Sequence, residues 1–508
     1  MVSTATEPTA VLAPRAGRRA WFALAVLMLP VLLVSVDNTV LNFALPAISS
    51  ALTPTGTQLL WIVDVYPLVL AGLLVSMGSL GDRIGRRRLL LIGSIGFGVV
   101  SVAAAFAPSA ELLIAARAAL GFFGAMLMPS TLSLLRNIFL DRDQRRFAIA
   151  VWASGFAAGS ALGPIVGGVI LEHFAWGAVF LLAVPVLLPL VVLAPFLIPE
   201  SKDPDPGRID VPSIVLILVT MTPLVFGVKH LAEAGFDVVT VVSMVVGVAS
   251  GILFIRRQLR LEHPLLDLSL FRRASFSGAV VINLLSVTAL VGGLFFVSQH
   301  LQLVLGLAPL DAGLVLLPGL IVMIVAGLVI VPISKRVRPG IVVPVALVVS
   351  AVGYASIAIT GGDVSAFGIG LAFVALGLGI GSAETVSNEL VIASAPPEKA
   401  GAASGVSETA YELGAVLGTA TLGTVLTASY RSSVVLPDGL TAVQQQAAGE
   451  TLGGAATVAE QLPGDLAGAL MESARHAFDS GVGVAAWIGV GLIVAAMLVA
   501  AIGLRRVR

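Results

Sequence analysis

The chain has 508 residues, of which 57% are hydrophobic and only 11% are charged. The hydrophobic share is about 290 residues, roughly what fourteen membrane spans of about 20 residues require. So few charged residues argue against a soluble domain of this length, because they cannot cover a water-facing surface. The 29 basic and 29 acidic residues cancel, so bulk charge gives no reason to expect a nucleic-acid partner. The absence of cysteine excludes disulfides and thiolate metal sites.

Apolar runs bounded by charged residues or by Pro and Gly clusters predict fourteen transmembrane helices, and hence an all-α membrane protein. The runs lie at 21–45, 58–78, 89–107, 111–135, 147–171, 176–198, 211–231, 238–255, 274–303, 311–333, 340–361, 365–392, 401–428 and 480–503. The first run contains no cleavage site of the A-x-A type, so we expect a retained first helix and no signal peptide.

Basic residues concentrate at both termini and in alternate connections between the predicted spans. The exceptions among the 29 basic residues are Arg117, Lys229, Arg431 and Arg475. Because Lys and Arg accumulate on the cytoplasmic side of membrane proteins, both termini are expected in the cytoplasm. The sequence therefore predicts a multi-pass protein of the cell membrane.

A polar, Pro-rich stretch at 199–210, PESKDPDPGRID, separates two groups of spans. We expect a cytoplasmic tail at 1–20, a six-helix bundle at 21–198 and a second six-helix bundle at 274–508. The residues between the bundles, 199–273, are expected to supply the linker, two inserted helices and the loop that follows them.

A second long connection, 429–479, is predicted to be an extracellular insert. Its segment TAVQQQAAGETLGGAATVAEQL is expected to form a helix at the membrane interface, with a second helix near Asp465 to Phe478.

Common catalytic and nucleotide-binding motifs are absent from the sequence. It contains no Gly-Lys pair, so a phosphate-binding P-loop is excluded, and it has neither an H-E-x-x-H nor a G-x-S-x-G pattern. The Gly377–Gly381 run is better explained by close helix packing in a membrane than by a nucleotide loop. We therefore expect no enzyme, no cofactor, no metal site and no ATP-driven transport.

The loop between spans two and three reads GSLGDRIGRRR from Gly78 to Arg88. A turn rich in arginine on the cytoplasmic side would explain the basic residues, but not the acid followed by Arg-Ile-Gly. The loop resembles the signature G-x-L-a-D-r-x-G-r-R of the major facilitator superfamily. The resemblance implies a cytoplasmic latch, in which the acid faces a helix N-terminus of the opposite bundle. The latch residues would be Gly78, Asp82, Arg83, Gly85, Arg86 and Arg87.

Arg117 lies inside the fourth predicted span. A guanidinium in a membrane span is costly, so Arg117 should face the bundle interior or water. Two other readings remain open: the side chain snorkels to the membrane surface, or it pairs with a carboxylate.

The fifth span contains the run GSALGPIVGG, from Gly159 to Gly168. Its glycines at a spacing of four allow close helix packing, and its proline permits a kink. Packing alone would explain the glycines, but the combination resembles the antiporter signature of proton-linked exporters in the superfamily. The residues that carry the resemblance are Gly159, Gly163, Pro164, Gly167 and Gly168.

Asp37 lies in the first span, about 24 Å along the helix from Trp21 and still within the hydrocarbon layer. A carboxyl group there can hold a proton in one state and release it when water or a cation arrives. The run around it, with WIVDVY at 61–66 and MPSTLSLLRNIF at 128–139, resembles the fourteen-span drug:proton antiporter branch. Asp64, near the outer end of span two, could assist, although a shallow, water-exposed position is equally consistent with the sequence.

Span thirteen carries a second acidic cluster, in which Glu408 and Glu412 are one helical turn apart with Tyr411 beside them. Such a site would favour lipophilic cations over anions, unless both glutamates only line a solvated vestibule. Glu384 and Glu389 in span twelve are further candidates. Aromatic rings that could add cation–π contacts are Tyr411, Trp61, Tyr66, Phe122, Phe123, Phe295 and Phe296.

The sequence thus predicts a monomeric, proton-coupled multidrug efflux antiporter that works by alternating access. The resemblance implies quaternary ammonium compounds and intercalating dyes as substrates, with fluoroquinolones as a further class. An uptake symporter of the same architecture is the first alternative. A membrane-embedded sensor or enzyme that acts through the insert 429–479 is the second.

Overall fold

The computed structural model describes residues 16–202, 210–262, 264, 266, 268–334, 336–360, 364–394 and 400–505. Most of the predicted tail and of the predicted linker therefore lies outside the described residues. The helices of the first half, here called the N-half, are α1 (Arg18–Leu52), α2 (Gly56–Ile84), α3 (Arg86–Ala105), α4 (Ala110–Ile138), α5 (Arg142–His173), α6 (Ala178–Leu181) and α7 (Ala183–Leu197).

Two further helices, the inserted pair, precede the second half. They are α8 (Val211–Ala234) and α9 (Val238–Gln258). The second half, here called the C-half, contains α10 (Ala274–Gln299), α11 (Pro309–Ser334), α12 (Pro339–Thr360), α13 (Ala366–Ala393), α14 (Ala400–Gly418), α15 (Thr424–Ser433), α16 (Ala442–Glu450), α17 (Leu452–Ala459) and α18 (Gly464–Gly503). Short π-helical turns extend α10 and join α14 to α15.

The expected fold class is confirmed. Within the described residues, 13 helical stretches are long and apolar enough to cross a membrane, and α6 with α7 or α14 with α15 count as one stretch each. The one predicted span outside this set is the fifth, 147–171, which corresponds to the 32-residue helix α5. Its described part from Leu162 to His173 is apolar but shorter than a span.

Local side-chain contacts explain where several helices begin. At α2, the Thr55 hydroxyl accepts a hydrogen bond from Gln58 N at 3.2 Å, and Gln58 Oε1 accepts one from Thr55 N at 2.9 Å. Asp237 begins α9 in a similar way, accepting from Thr240 N at 2.8 Å and contacting His230 Nε2 at 3.0 Å. These hydrogen bonds favour the charged carboxylate and lower the pKa of Asp237 to about 2.

The helices pack mainly within their own half. In the N-half, α1 contacts α5 and α7, and α4 contacts α2 and α3; in the C-half, α13 contacts α11 and α12, and α18 contacts α10 and α12. The inserted helices pack on each other, and α8 also contacts α2 and α15. The molecule is thus two six-helix bundles with an inserted pair, which touches both bundles through α8.

The run around Gly377 packs helices as the sequence predicts. A Cβ atom at Gly377 would lie 2.2 Å from the Gly319 carbonyl oxygen of α11, and one at Gly379 would lie 2.1 Å from Ser350 Oγ of α12. The glycines therefore allow α13 to approach two neighbouring helices closely.

The long insert differs from the expected interface helix. Its polar segment forms two helices, because the chain is extended at Thr451, whose hydroxyl accepts a hydrogen bond from Gly454 N and begins α17. The α17 helix is largely buried against α1 and α18. The expected helix near Asp465 to Phe478 is the first part of α18, which continues unbroken into the last span.

Because the number of spans is even, α1 begins and α18 ends on the same side of the membrane. We call this side the terminal face. The opposite side, which carries α16 and α17, is called the insert face.

Candidate functional site

A cavity lies between the two halves, at the level of Asp64 and Glu412. It encloses about 880 Å³ of space not filled by atoms, counting the part that is open to solvent. Ionisable side chains from both halves and amide side chains from the N-half line it, together with an apolar majority. Its polar lining includes Ser35, Asn38, Thr39, Asn42, Asp64 and Arg117 of the N-half and Tyr411, Glu412 and Thr419 of the C-half.

Asp37 of α1 and Arg117 of α4 form a buried ion pair. Arg117 Nη1 lies 2.5 Å from Asp37 Oδ2, and the two side chains are 1% and 9% exposed. Arg117 Nε also donates a hydrogen bond to the Ile62 carbonyl at 3.1 Å, and its guanidinium carbon lies 4.5 Å from the centre of the Tyr66 ring. Of the three readings of Arg117, the structure shows the one in which it pairs with a carboxylate.

Asp64 of α2 forms a second buried pair, with Lys229 of the inserted helix α8. Lys229 Nζ lies 2.8 Å from Asp64 Oδ2, and both side chains are 0% exposed. The water-exposed position that the sequence allowed for Asp64 is therefore wrong, because α8 covers this part of α2. The distribution of basic residues marks Lys229 as an exception but does not identify its partner. Its isolated position in the apolar run 211–231 was the signal for a buried partner.

The acidic residues of the C-half occupy different depths. Glu412 is buried beside the cavity, whereas Glu408, one turn closer to the terminal face, is half-buried. Glu384 of α13 is half-buried and Glu389 is exposed. Glu412 is thus the C-half carboxyl that faces the cavity together with Tyr411.

The aromatic candidates separate into three groups. Tyr411 lines the cavity, while Tyr66 and Trp61 contact the basic side chains of the two buried pairs. Phe122 lies on the exposed surface, edge-on against Phe123, and Phe295 and Phe296 are packed in the core. Two aromatic residues not anticipated from the sequence line the cavity, Phe156 and Phe373.

The latch loop, residues 78–88, makes its ion pairs and hydrogen bonds within the N-half in this conformation. Asp82 Oδ1 lies 2.7 Å from Arg86 Nη2 and 2.8 Å from Arg86 Nε, one turn along the chain. Glu200, which follows α7, accepts a hydrogen bond from Arg87 N at 3.0 Å and so caps the first turn of α3. Gly85 has a φ of 111°, and a Cβ atom there would lie 2.7 Å from the Glu200 carboxyl group. Glu200 is a latch contact that the sequence did not reveal.

The other predicted latch residues lie around this loop. Gly78 packs near Pro129, and Arg83 is in the last turn of α2.

The residues from Gly159 to Gly168 of α5, here called the Gly-Pro run, contact both halves. Within the N-half, a Cβ atom at Gly163 would lie 1.8 Å from Thr39 Oγ1, and Gly159 and Gly167 approach α1 similarly. Towards the C-half, a Cβ atom at Gly168 would lie 2.4 Å from Leu310 Cα of α11.

Pro164 takes part in the same contact with the C-half. Its carbonyl oxygen would lie 2.8 Å from a Cβ atom at Gly313 of α11. The run therefore holds α5 against α1 and α11 at once.

Further contacts join the halves on the insert face. Ser298 Oγ of α10 donates to the Asn42 carbonyl of α1 at 3.2 Å. Glu450 accepts a hydrogen bond from Gly56 N at the start of α2 at 3.2 Å and also contacts Arg431 of α15. The conformation described here is therefore closed on the insert face.

Comparison with known proteins agrees with this architecture. A family model of the Major Facilitator Superfamily matches residues 27–419. The chain is 58% identical to the multidrug efflux pump LfrA of Mycolicibacterium smegmatis, over 97% of this chain and 98% of that protein. It is 35% identical to the methyl viologen resistance protein SmvA of Salmonella typhimurium, over 91% of this chain and 93% of that protein.

A solved structure shows the same fold. It is an inward-facing, unoccupied bacterial homologue of the human lysosomal transporter Spinster, with a TM-score of 0.64 and 16% sequence identity, and the match covers 95% of this chain and 98% of that one. The family match, the near-full-length relatives and the shared fold together show that this chain belongs to the major facilitator superfamily and is a membrane transporter, not an enzyme.

Proposed function

We propose that the chain is a proton-coupled multidrug efflux antiporter of the cell membrane. Its substrates would be hydrophobic and mainly cationic compounds, including quaternary ammonium compounds and intercalating dyes, with fluoroquinolones as a further class. The names of the two relatives, a multidrug efflux pump and a methyl viologen resistance protein, support export over uptake.

The observation that carries the proposal is the set of acids at one cavity between the halves. Asp64 and Glu412 line the cavity from opposite halves, and Asp37 reaches it through its ion pair with the lining residue Arg117. A carboxylate in an apolar cavity attracts either a proton or an organic cation, and the two ligands compete for the same charge. That competition is the requirement for exchanging one ligand for the other.

The exchange cycle follows from this competition. Protonation of Asp37 would release Arg117, and protonation of Asp64 and Glu412 would remove the negative charge that holds the cation. The cation would then leave on the insert face. Deprotonation towards the terminal face would restore cation affinity. Glu408 and Glu384, half-buried nearer that face, and Glu389, exposed beyond them, would serve as entry points for cations or protons.

The conformational elements of the proposal are the latch and the Gly-Pro run. Asp82 with its arginines would exchange its contact with Arg86 for one with the opposite half when the terminal face closes. The run from Gly159 to Gly168 would hold the insert face closed between turnovers. The terminal face would be cytoplasmic, the two bundles would have the boundaries expected from the sequence, and the transporter would act as a monomer.

An uptake symporter remains the second candidate, because alternating access by itself does not set the direction of transport. The largely apolar cavity lining disfavours it, since a polar nutrient needs a more hydrophilic surface.

Transport by the purified protein in liposomes tests the proposal. With a pH gradient imposed, the monovalent dye ethidium should accumulate on the side with more protons, and a protonophore should abolish the accumulation. Accumulation that persists without any ion gradient, or that follows only a sodium gradient, contradicts proton-coupled exchange.

A further inference from the structure

The pair formed by Asp64 and Lys229 is not needed to close the N-half. Lys229 belongs to the inserted helix α8, which packs on α2 from outside the six-helix bundle. A Cβ atom at Gly72 of α2 would lie 2.5 Å from Leu218 of α8, so apolar packing already joins the two helices. Burying a lysine at such a contact costs free energy, so we expect it to have a function beyond holding the two helices together.

The surroundings of the Lys229 ammonium are those of a bound organic cation. It lies 2.8 Å from a carboxylate oxygen of Asp64 and 4.3 Å from the centre of the Trp61 ring. A carboxylate beside the face of an indole is the environment that recognises quaternary ammonium ions and cationic dyes. Lys229 thus occupies the kind of site that the proposed substrates require.

The pair also lies between two cavities. Asp64 lines the central cavity, whereas Lys229 lines a smaller cleft with Thr57, Leu60, Thr424, Thr427, Ala428 and Arg431. This cleft contains about 200 Å³ of space not filled by atoms, counting the part that is open to solvent. The threonine hydroxyls of this smaller cleft can accept hydrogen bonds from an ammonium group. Lysine is a flexible side chain with rotatable donors, so it can leave Asp64 for these hydroxyls without moving α8.

We propose that Lys229 is a tethered competitor of the cationic substrate: its ammonium holds the site formed by Asp64 and Trp61 until a drug displaces it into the smaller cleft. Lys229 is then a specificity-determining residue, because a substrate must bind the Asp64 carboxylate more strongly than the Lys229 ammonium does. The inference rests on the proposed function, since it assumes that cationic drugs reach Asp64.

Dye binding by variants in nanodiscs at mildly alkaline pH tests the proposal. Lys229→Met keeps the length of the side chain and removes its charge, so ethidium should bind about tenfold more tightly than to wild type. Lys229→Arg keeps the charge and should stay within about twofold of wild type. The double variant Asp64→Asn with Lys229→Met has no unpaired charge at this site, so its ethidium affinity should not exceed that of wild type.

The three variants separate the explanations. Unchanged or weaker binding in Lys229→Met overturns the proposal. An equal gain in the double variant also overturns it, because the gain would then come from a loosened α8 and not from the freed Asp64 carboxylate.

A measurement on the wild-type protein does not depend on how the variants fold. Reductive methylation with formaldehyde and cyanoborohydride as the hydride donor, followed by mass spectrometry, should leave Lys229 protected in the free protein. Saturating ethidium should raise its modification at least about fivefold. Lys202, which is exposed, serves as the control and should react equally in both samples. Protection of Lys229 that ethidium does not change overturns the proposal.

Failure of this inference can be told from failure of the proposed function. If wild type exports ethidium along a pH gradient while Lys229 stays protected and Lys229→Met gains nothing, only the role of Lys229 is wrong. If wild type neither binds nor exports ethidium, the proposed function itself is wrong.

Discussion

Asp37 and Asp64 are both buried carboxylates of the N-half, but the cations that face them differ in chemistry. Arginine side chains carry their charge permanently in proteins. The guanidinium of Arg117 is also held in place by a hydrogen bond from Nε to the Ile62 carbonyl. Protonation of Asp37 would therefore leave a charged guanidinium without its carboxylate, in a place that cannot solvate it. Lys229 has a flexible stem and the smaller cleft beside it. At the level of single residues, the first pair is suited to sensing a proton and the second to exchanging cations.

Neutralising Asp37 should abolish proton coupling. Asp37→Asn keeps the size of the side chain but leaves Arg117, which is 1% exposed, as an unpaired buried charge. The loss should lower the free energy of unfolding by about 3 to 5 kcal/mol, which thermal unfolding in detergent can detect. Adding Arg117→Gln should recover much of this stability without restoring transport. Recovery of gradient-driven transport in the double variant would show that Asp37 has only a structural role.

Asp37→Asn should also change how ethidium binding depends on pH. Protons and a cationic dye compete for the carboxylates, so ethidium affinity for wild type should rise as the pH rises and protons leave. The rise should be shallower in Asp37→Asn, because one competing group is gone. The control is Asp465→Asn, an exposed acid in the first turn of α18, which should follow the wild-type curve. Identical curves for all variants would place the exchange site elsewhere.

At the level of helices, the sequence predicts well which segments form membrane-spanning helices, because span length and apolar composition are local properties. It predicts less well where helices end: α1 continues past the apolar run to Leu52, and the last span continues backwards to Gly464. Helices α1 and α18 both pack against α17 of the insert, which supplies tertiary contacts that composition does not record.

Pairing between helices could not be read from the sequence. Asp37, Glu412 and Asp64 were candidates because an acid in an apolar run is conspicuous by itself. Arg117 as the partner of Asp37, and Lys229 as the partner of Asp64, depend on how deep each helix lies and which face it turns inward. Those are properties of the packed bundle. Glu200 was missed for the same reason: its contact with α3 joins segments that are far apart in the chain.

The latch loop gives a prediction at this level. Asp82→Asn should leave ethidium affinity within about twofold of wild type, because the loop is remote from the cavity, but should slow turnover by removing the charge that engages a helix N-terminus. The measurement compares binding in nanodiscs with transport rate in liposomes. Glu262→Gln, which neutralises an exposed acid after α9 on the same side of the membrane, is the matched control and should change neither. A large loss of binding in Asp82→Asn at an unchanged transport rate would remove Asp82 from the latch.

At the level of the whole molecule, the two halves are held together on the insert face by contacts from several elements. The Gly-Pro run of α5 meets α11, α10 reaches the Asn42 carbonyl of α1, and Glu450 joins the start of α2 to α15. Alternating access requires these contacts to break together when the terminal face closes. Glu450 binds both the N-half and the C-half, so the insert is part of this closure and not a separate domain.

The orientation of the molecule decides whether this exchange exports or imports its substrate. If the terminal face is cytoplasmic, α16 and α17 are extracellular, and protons entering from outside meet the side on which the drug is released. The chain contains no cysteine, so single cysteines can be introduced without background labelling. Glu460, at the end of α17, and Arg505, after α18, are both exposed and lie on opposite faces. In intact cells, a membrane-impermeant maleimide should label Glu460→Cys and leave Arg505→Cys unlabelled until the cells are permeabilised. The reverse pattern would invert the topology and, with it, the proposed direction of transport.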